Sequence, residues 1–411
     1  MWLKYYFGNR DVPLRFRHRA SDAIIERLGL PTPKNRNRAD ARASIVGEVL
    51  LAHPEGSAVS ISRRKKYYSD RRRYFGSCGT FANVIAEVSL LVEAGLIIEQ
   101  RARPGSRGHQ STIRASAALV ERIPAYTESD FSFHLNEILI LRNELPNGRR
   151  ETLNYLETGE TRAMRTQLSR INHDYEELKL ALPCVSKVGA HRVVDGHFIR
   201  ITPLVLHRVF NRGRWDCGGR AYAFWQQLPK LVRSQFVLEG QPVSEPDYSA
   251  IHPHLIYAER GLPLGSDPYE LAGFDRAQCK LAFNVAINSK SAPDTVRALV
   301  YNQQMPREQA RKILDELKSK HRLIADVFCS DAGVRYMKLD SELILAVTVR
   351  CLHRGIAALP VHDSLIVPAM DEQIAAGIMV DEFGRRYPRA NPCEVKTNSK
   401  KVSQIGPEVC D

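Results

Sequence analysis

Apolar positions along the chain fall into a few readable patterns. From Phe81 the segment "FANVIAEVSLLVEAG" places Phe81, Ile85, Val88 and Leu91 at helical spacing, and Gly95 stands where a helix C-terminus belongs. The next stretch, "LIIEQRARPGSRGHQSTIRAS", predicts two short strands around a Pro-Gly turn that carries Arg101, Arg103, Arg107 and His109. After a connector over 121–145, "TGETRAMRTQLSRINHDYEELKLAL" predicts a long amphipathic helix. Its start is marked by Thr158, Glu160 and Thr161. Met164, Leu168, Ile171, Tyr175 and Leu178 form its apolar stripe, and Arg162, Arg165 and Arg170 fall largely off it.

The C-terminal half alternates strand and helix signals. Val243 leads into a strand ended by Asp247, and an apolar helix-like stretch follows. "DRAQCKLAFNVAINSKS" predicts a helix whose one side carries Arg276, Lys280, Asn284 and Asn288. "KLDSELILAVTVRCLHRG" predicts another helix, leading into "LPVHDSLIVP". There Asp363 lies between two apolar, β-prone flanks. A carboxylate in such a place needs a purpose, because an uncompensated buried charge is costly. Asp267, Asp275 and Asp340 read as loop or helix-start residues. The pair His252 and His254 reads as structural or primer-contacting rather than as a metal pair.

Composition narrows the partners. The 411 residues suffice for two or more domains. With 59 basic against 46 acidic residues the net charge is +13, which favours a polyanion, nucleic acid first. "RRKKYYSDRRR" concentrates that charge: Arg63, Arg64, Lys65, Lys66, Arg71, Arg72 and Arg73, with two tyrosines between them, suit contacts to a phosphate backbone. The eight cysteines are scattered without a CxxC pair, so reduced thiols in the cytoplasm are expected. No apolar run reaches the roughly 18 residues of a membrane span, no signal-peptide core opens the chain, and no internal repeat is visible.

Two resemblances follow. Residues 40–125 resemble winged-helix DNA-binding modules, by pattern rather than by a sharp motif. Over about 205–395 the chain resembles family A polymerases, the group of DNA polymerase I-like enzymes and bacteriophage-type single-subunit RNA polymerases. "DYSAI" from Asp247 is similar to the first palm motif, Arg276 through Asn288 to the fingers helix, and "VHDS" from Val361 to the last palm motif. "RWDCGGRAYAFWQQLPKLVRS" is similar to the arginine-bearing segment before the first palm motif. The family implies an α+β, right-hand architecture: a palm of antiparallel sheet with helices, and helical fingers and thumb. The expected domains are an N-terminal arm (1–39), the winged-helix-like domain (40–125), a helical connector or thumb-like region (126–204), and palm and fingers (205–411).

The resemblance also implies roles. Asp247 and Asp363, with the Tyr248 carbonyl, would bind Mg²⁺, or Mn²⁺ in its place, during phosphoryl transfer. Arg276 and Lys280 would hold the triphosphate, with Asn284, Asn288, Tyr248 and His252 around the nucleotide. His362 would position the primer end and Arg220 would touch primer–template. Three positions depart from the DNA polymerase pattern. His252 stands where a Glu excludes the ribose 2′-hydroxyl, Asn288 replaces an aromatic, and Ser364 replaces the Glu of His-Asp-Glu, as in the RNA polymerase branch. The expectation is a compact, monomeric, template-directed DNA polymerase of the sort carried by mobile elements, acting on DNA template or primer–template with dNTPs, without proofreading or a membrane partner. RNA or primer synthesis from NTPs is the close alternative. A replication-initiation or regulatory DNA-binding protein with an inactive palm, and a template-independent end-adding transferase, are the others.

Overall fold

In the computed structural model, which describes residues 11–103, 110–145, 148, 150–183, 186–194, 196–200 and 203–397, the apolar residues gather into three cores. The first spans Leu14 to Ile123. It is built from β1 (Val12–Pro13), β2 (His18–Ala20), α1 (Asp22–Arg27), α2 (Arg36–Ala52), β3 (Val59–Ile61), α3 (Lys65–Ser69), α4 (Arg72–Phe75), α5 (Phe81–Glu93), β4 (Ile97–Gln100), β5 (Ser111–Ala115) and α6 (Ala117–Arg122). The sheet runs β1-β3-β5-β4, antiparallel except that β1 lies parallel to β3. Residues 11–39 are part of this core and not a separate arm: Leu14, Phe16, Ile24 and Leu28 are buried in it.

Local chemistry sets these helices. The Asn35 side chain accepts from the Arg38 amide (3.0 Å) and starts α2; the Thr80 hydroxyl accepts from the Asn83 amide and starts α5. Buried Glu87 on α5 takes Arg38 (2.6 Å) and Arg42 (2.7 Å), which locks α2 against α5. β2 crosses α2 at Gly47, where a Cβ would stand 2.9 Å from backbone atoms of His18 and Ala20. The β4–β5 hairpin matches the expected two strands. Arg103 ends its described part, and Arg107 and His109 lie outside the described residues.

The region 126–204, expected to be helical, holds one long helix among seven short strands in its described residues. β6 (Phe131–Phe133) pairs with β2, and β7 (Leu139–Glu144) pairs with β8 (Arg150–Leu153). α7 (Gly159–Asp174) is the amphipathic helix, opened by reciprocal bonds between Thr158 and Thr161 (2.8 and 3.2 Å), with Met164, Leu168 and Ile171 buried. β9 (Leu180–Ala181) and a meander of β10 (Ser186–Val188), β11 (His191–Val194) and β12 (His197–Ile199) follow. β7 finds its other partner in β13 (His207–Phe210), which pairs with β14 (Gly218–Tyr222). A parallel partner so far along the chain is invisible to a local reading.

Buried Glu137 ties this region to α4 and α7. It accepts from Arg165 (2.6 Å), Arg73 (3.1 Å) and the Leu139 amide (2.9 Å). Burial alone would raise its carboxyl, but these partners hold it below the ordinary value. A depressed folded pKa adds stability above the unfolded value of about 4.3 and loses it as pH falls through the folded one. Glu137→Gln should therefore lower Tm at pH 7, with the gap to wild type closing below about pH 4. Thermal denaturation of both proteins across pH measures this; a gap that widens with acid would refute it.

The remainder comprises α8 (Lys230–Arg233), β15 (Val237–Leu238), β16 (Gln241–Ser244), β17 (Asp247–Tyr248), α9 (Ile251–Glu259), α10 (Arg276–Asn288), α11 (Ala292–Gln303), α12 (Arg307–Lys320), α13 (Gly333–Leu352), β18 (Leu359–Val361), β19 (Ser364–Pro368), α14 (Glu372–Arg386) and β20 (Val395–Lys396). Its sheet runs β20-β17-β19-β16-β15-β9, with β18 on β19. The whole is α+β. No helix among the described residues is long and apolar enough to cross a membrane.

Candidate active site

Two short strands bring the carboxylates together. Asp247 on β17 sits opposite Ser364 on β19, the Tyr248 amide donates to the Asp363 carbonyl (3.3 Å), and the Leu365 amide donates to the Pro246 carbonyl (3.0 Å). Asp363 lies between its two β-prone flanks, in the turn that joins them. It is the second residue of a two-residue turn between Val361 and Ser364, and His362, the first, has φ +57°. Tight hairpin turns demand such a conformation, and histidine tolerates it better than most residues. The turn lifts Asp363 beside Asp247.

Both carboxyls feel the crowding. Burial first, then the charge of Asp363, push Asp247 up to about 7; Lys230 and Lys280 oppose this, and Glu245 adds to it. Burial and then Asp340 raise Asp363, against Arg220 and His252. Cys393, whose thiol donates to the Ser249 carbonyl (3.4 Å), is raised by burial and then by Asp363, Glu394 and Asp247. Two raised carboxyls on neighbouring backbone segments, in a partly buried setting, are a poor arrangement without a cation. Among the described residues no group of three or more His, Cys, Asp or Glu has the arrangement of a metal site.

Three acidic or basic partners here carry no local sequence signal. Asp340 is not a loop or helix-start residue. It lies inside α13, 1% exposed, gripped by both forks of Arg220 and by His252 Nε2 (3.0 Å). Burial would raise it, but the Arg220 charge and the His252 hydrogen bond hold it low. Glu245 accepts from the Ser364 hydroxyl (3.0 Å) and is forked by Arg233 (2.9 and 3.2 Å). It thus sets a carboxylate against Ser364. Lys230, at the start of α8, lowers Asp247.

The expected nucleotide contacts separate. The Asp275 side chain caps α10 through the Ala277 (2.9 Å) and Gln278 (3.1 Å) amides, and Asp267 lies in a loop, as expected. Asp267 holds Arg276, which also lies by the Tyr269 ring. Lys280 is exposed, has no ion pair among the described residues, and lies near enough to lower Asp247. Asn284 is half-buried. Asn288 donates to the Asn284 carbonyl (2.8 Å) and packs so close to Gly333 that a Cβ there would clash with its Oδ1. The Tyr248 ring is buried, its hydroxyl donating to the Met379 carbonyl (2.5 Å). His252 and Arg220, expected at nucleotide and primer–template, are instead turned to Asp340. Burial, then Arg220, push His362 down to about 4, so its imidazole is neutral near pH 7.

The basic run divides too. Arg64, Lys65, Lys66 and Arg72 are exposed on and beside α3 and α4. Arg63 is forked to Glu99 (2.6 Å), and Arg71 lies over the Tyr67 ring at 4.2 Å. Arg73 is not offered to a ligand: Glu137, Glu157, the Tyr155 carbonyl and the Tyr155 ring hold it. No protein-family model matches the chain, and no curated protein matches it.

Proposed function

We propose that the chain is a template-directed nucleotidyltransferase, a compact family A-like DNA polymerase. The observation that carries the reading is the pairing of Asp247 with Ser364 and of the Tyr248 amide with the Asp363 carbonyl, which makes neighbours of two acidic motifs distant in sequence. An all-oxygen pair whose members are both raised by burial and charge suits Mg²⁺, or Mn²⁺, since a divalent cation offsets both penalties. Asp247 and Asp363 would hold the ion, which when bound neutralises charge on the reacting phosphate oxygens. The reaction joins a strand's 3′-hydroxyl to the α-phosphorus of a nucleoside triphosphate and releases pyrophosphate. Lys280 attracts the triphosphate to the carboxylates. Arg276 joins it only by leaving Asp267. Neutral His362 fixes the turn and offers one ring nitrogen as a hydrogen-bond partner.

Other features support the reading. The order helix, strand, two short helices, helix, hairpin over 36–115, with strands arranged β3-β5-β4, is the order expected of a winged helix. Its last helix, α5, carries no Lys or Arg, so the exposed cations of α3 and α4 are the module's contact to nucleic acid. His252, tied to Asp340, leaves no carboxylate to exclude a 2′-hydroxyl, which favours ribonucleotide use as the second reading.

Incubation with primed and unprimed DNA or RNA templates, Mg²⁺ and labelled dNTPs or NTPs tests both. Template-dependent extension is expected. No incorporation on any template, with DNA binding retained, would make the chain a DNA-binding protein with an inactive palm. Lys280→Ala should raise KM for the triphosphate roughly ten- to a hundredfold, the worth of one charged contact, with a smaller change in kcat. Steady-state kinetics measure this, and an unchanged KM would remove Lys280 from the site.

A further inference from the structure

A cleft of about 190 Å³ lies where the N-terminal core meets the β7–β8 sheet. Its floor is β7 and β8, where Ile140 and Arg142 share a face and Thr152 sits opposite Arg142. One wall is the segment after β1, carrying Arg15 and Arg17; the other is α3 with Tyr67, the turn after it with Arg71, and α4. Between the two arginines Phe16 is fully buried with φ +58°, an unusual conformation for a bulky residue. It anchors in the core against Phe75 (5.1 Å) while Arg15 and Arg17 line the cleft.

The arginines here lack the carboxylate partners that several half-buried arginines elsewhere have. Arg38, Arg42, Arg73, Arg165, Arg220 and Arg233 all meet carboxylates. Among the described residues Arg15, Arg17 and Arg142 form no ion pair, and Arg71 meets only the ring and carbonyl of Tyr67. The one carboxylate in the lining, Glu137, is taken by Arg73 and Arg165; Glu48, which also attracts Arg17, is taken by His18. The charges therefore repel one another. Burial and then Arg15 push Arg17 down to about 10, with Arg142 adding to this. Burial, then Arg15 and Arg150, lower Arg142. Burial, then Arg17, Arg15 and Arg142, push His207 well down.

A line of rings leads from beside the cleft's arginines toward the carboxylate pair. His207 on β13 pairs in register with Tyr222 on β14, their rings 6.2 Å apart, and the Tyr222 ring meets the His362 ring edge-on at 6.2 Å. We propose that Arg15, Arg17, Arg71 and Arg142 bind successive backbone phosphates of a single nucleic-acid strand that runs from the carboxylate pair past Tyr222 into this cleft. A narrow, two-walled groove with unpaired guanidiniums and the Tyr67 ring suits one strand. The path of the strand rests on the proposed polymerase reading; the binding does not.

The test is fluorescence anisotropy of the full chain with a dye-labelled oligothymidylate across a salt series. Arg17→Met with Arg142→Met should weaken binding at least about tenfold and make the log–log salt slope shallower by about 1.4, the share of two phosphate contacts. The same double variant, without oligonucleotide, should keep or raise Tm, because it removes repelling charges while filling the space. Exposed Arg15→Ala, which threatens folding least, should make the slope shallower by about 0.7. Asp363→Asn, which removes a negative charge from the strand's path, should bind at least as tightly as wild type, so failure of catalysis and failure of the cleft separate. Wild-type binding with these three slopes alike would overturn the proposal, as would no binding at all. Displacement of the oligonucleotide by ATP or inorganic phosphate at equal phosphate concentration would make the cleft a small-anion site and also overturn it.

Discussion

Asp363→Asn is expected to lower nucleotide incorporation by at least roughly 10²–10³-fold, the typical loss when one electrostatic catalytic group is removed. The fold should not suffer. Asp363 is raised by burial and then by Asp340, so its ionised form is a strain on the folded state at neutral pH. An isosteric amide removes that charge, and Tm should stay level or rise. Loss of activity with equal or greater stability is the mark of a group kept for chemistry and not for packing. Asp247→Asn should behave alike, because burial and then the Asp363 charge push Asp247 up to about 7. Incorporation assays and thermal denaturation of the same preparations provide both readouts. Retained incorporation in either variant would remove the carboxylate pair from the reaction. A collapse of Tm would instead make the pair structural.

Asp340→Ala should have the largest effect on stability, a loss of about 3–5 kcal/mol, as expected when one member of a buried ion pair is removed. Asp340 is 1% exposed and joins Arg220 on β14 and His252 on α9 to α13. Without it Arg220 keeps a largely buried guanidinium whose remaining nearby carboxylate is Asp363, the other charge acting on it. The variant should therefore also lose incorporation, because Arg220 would compete for the carboxylate proposed to bind Mg²⁺. Replacing Arg220 and Asp340 together by Met and Leu should restore most of the stability, since it removes both buried charges. Urea denaturation of the two single variants and the double one measures the coupling. A loss under about 1 kcal/mol for Asp340→Ala would show the pair to be solvated in practice.

The contrast between Asp363 and Asp340 shows how far a linear reading reaches. Asp363 announces itself because a carboxylate amid "LPV" and "LIVP" contradicts its neighbours. Asp340 sits in "KLDSEL", where an acidic residue on a helix is ordinary, and its burial comes from β14 and α9 packing over that face. Glu245 is equally plain in sequence, yet Ser364 meets it from across the sheet. The basic run teaches the reverse. Seven cations in eleven residues look alike, but Arg73 is consumed by Glu137 and Glu157 while Arg64 and Lys65 stay exposed.

What the sequence alone determined was everything with a short period. The stripe Met164–Leu168–Ile171, the caps Thr158 and Asp275, the helix of Arg276 and Lys280, and the acidic residues that interrupt apolar strands all depend on neighbours within a few positions. Which charges face one another depends instead on packing between distant segments. The Asp247–Asp363 neighbourhood depends on strand register, and the unpaired arginines depend on β1, α4 and β7 meeting at one cleft. Coulomb energy depends on distance and burial, and in a folded chain neither follows from separation along the sequence.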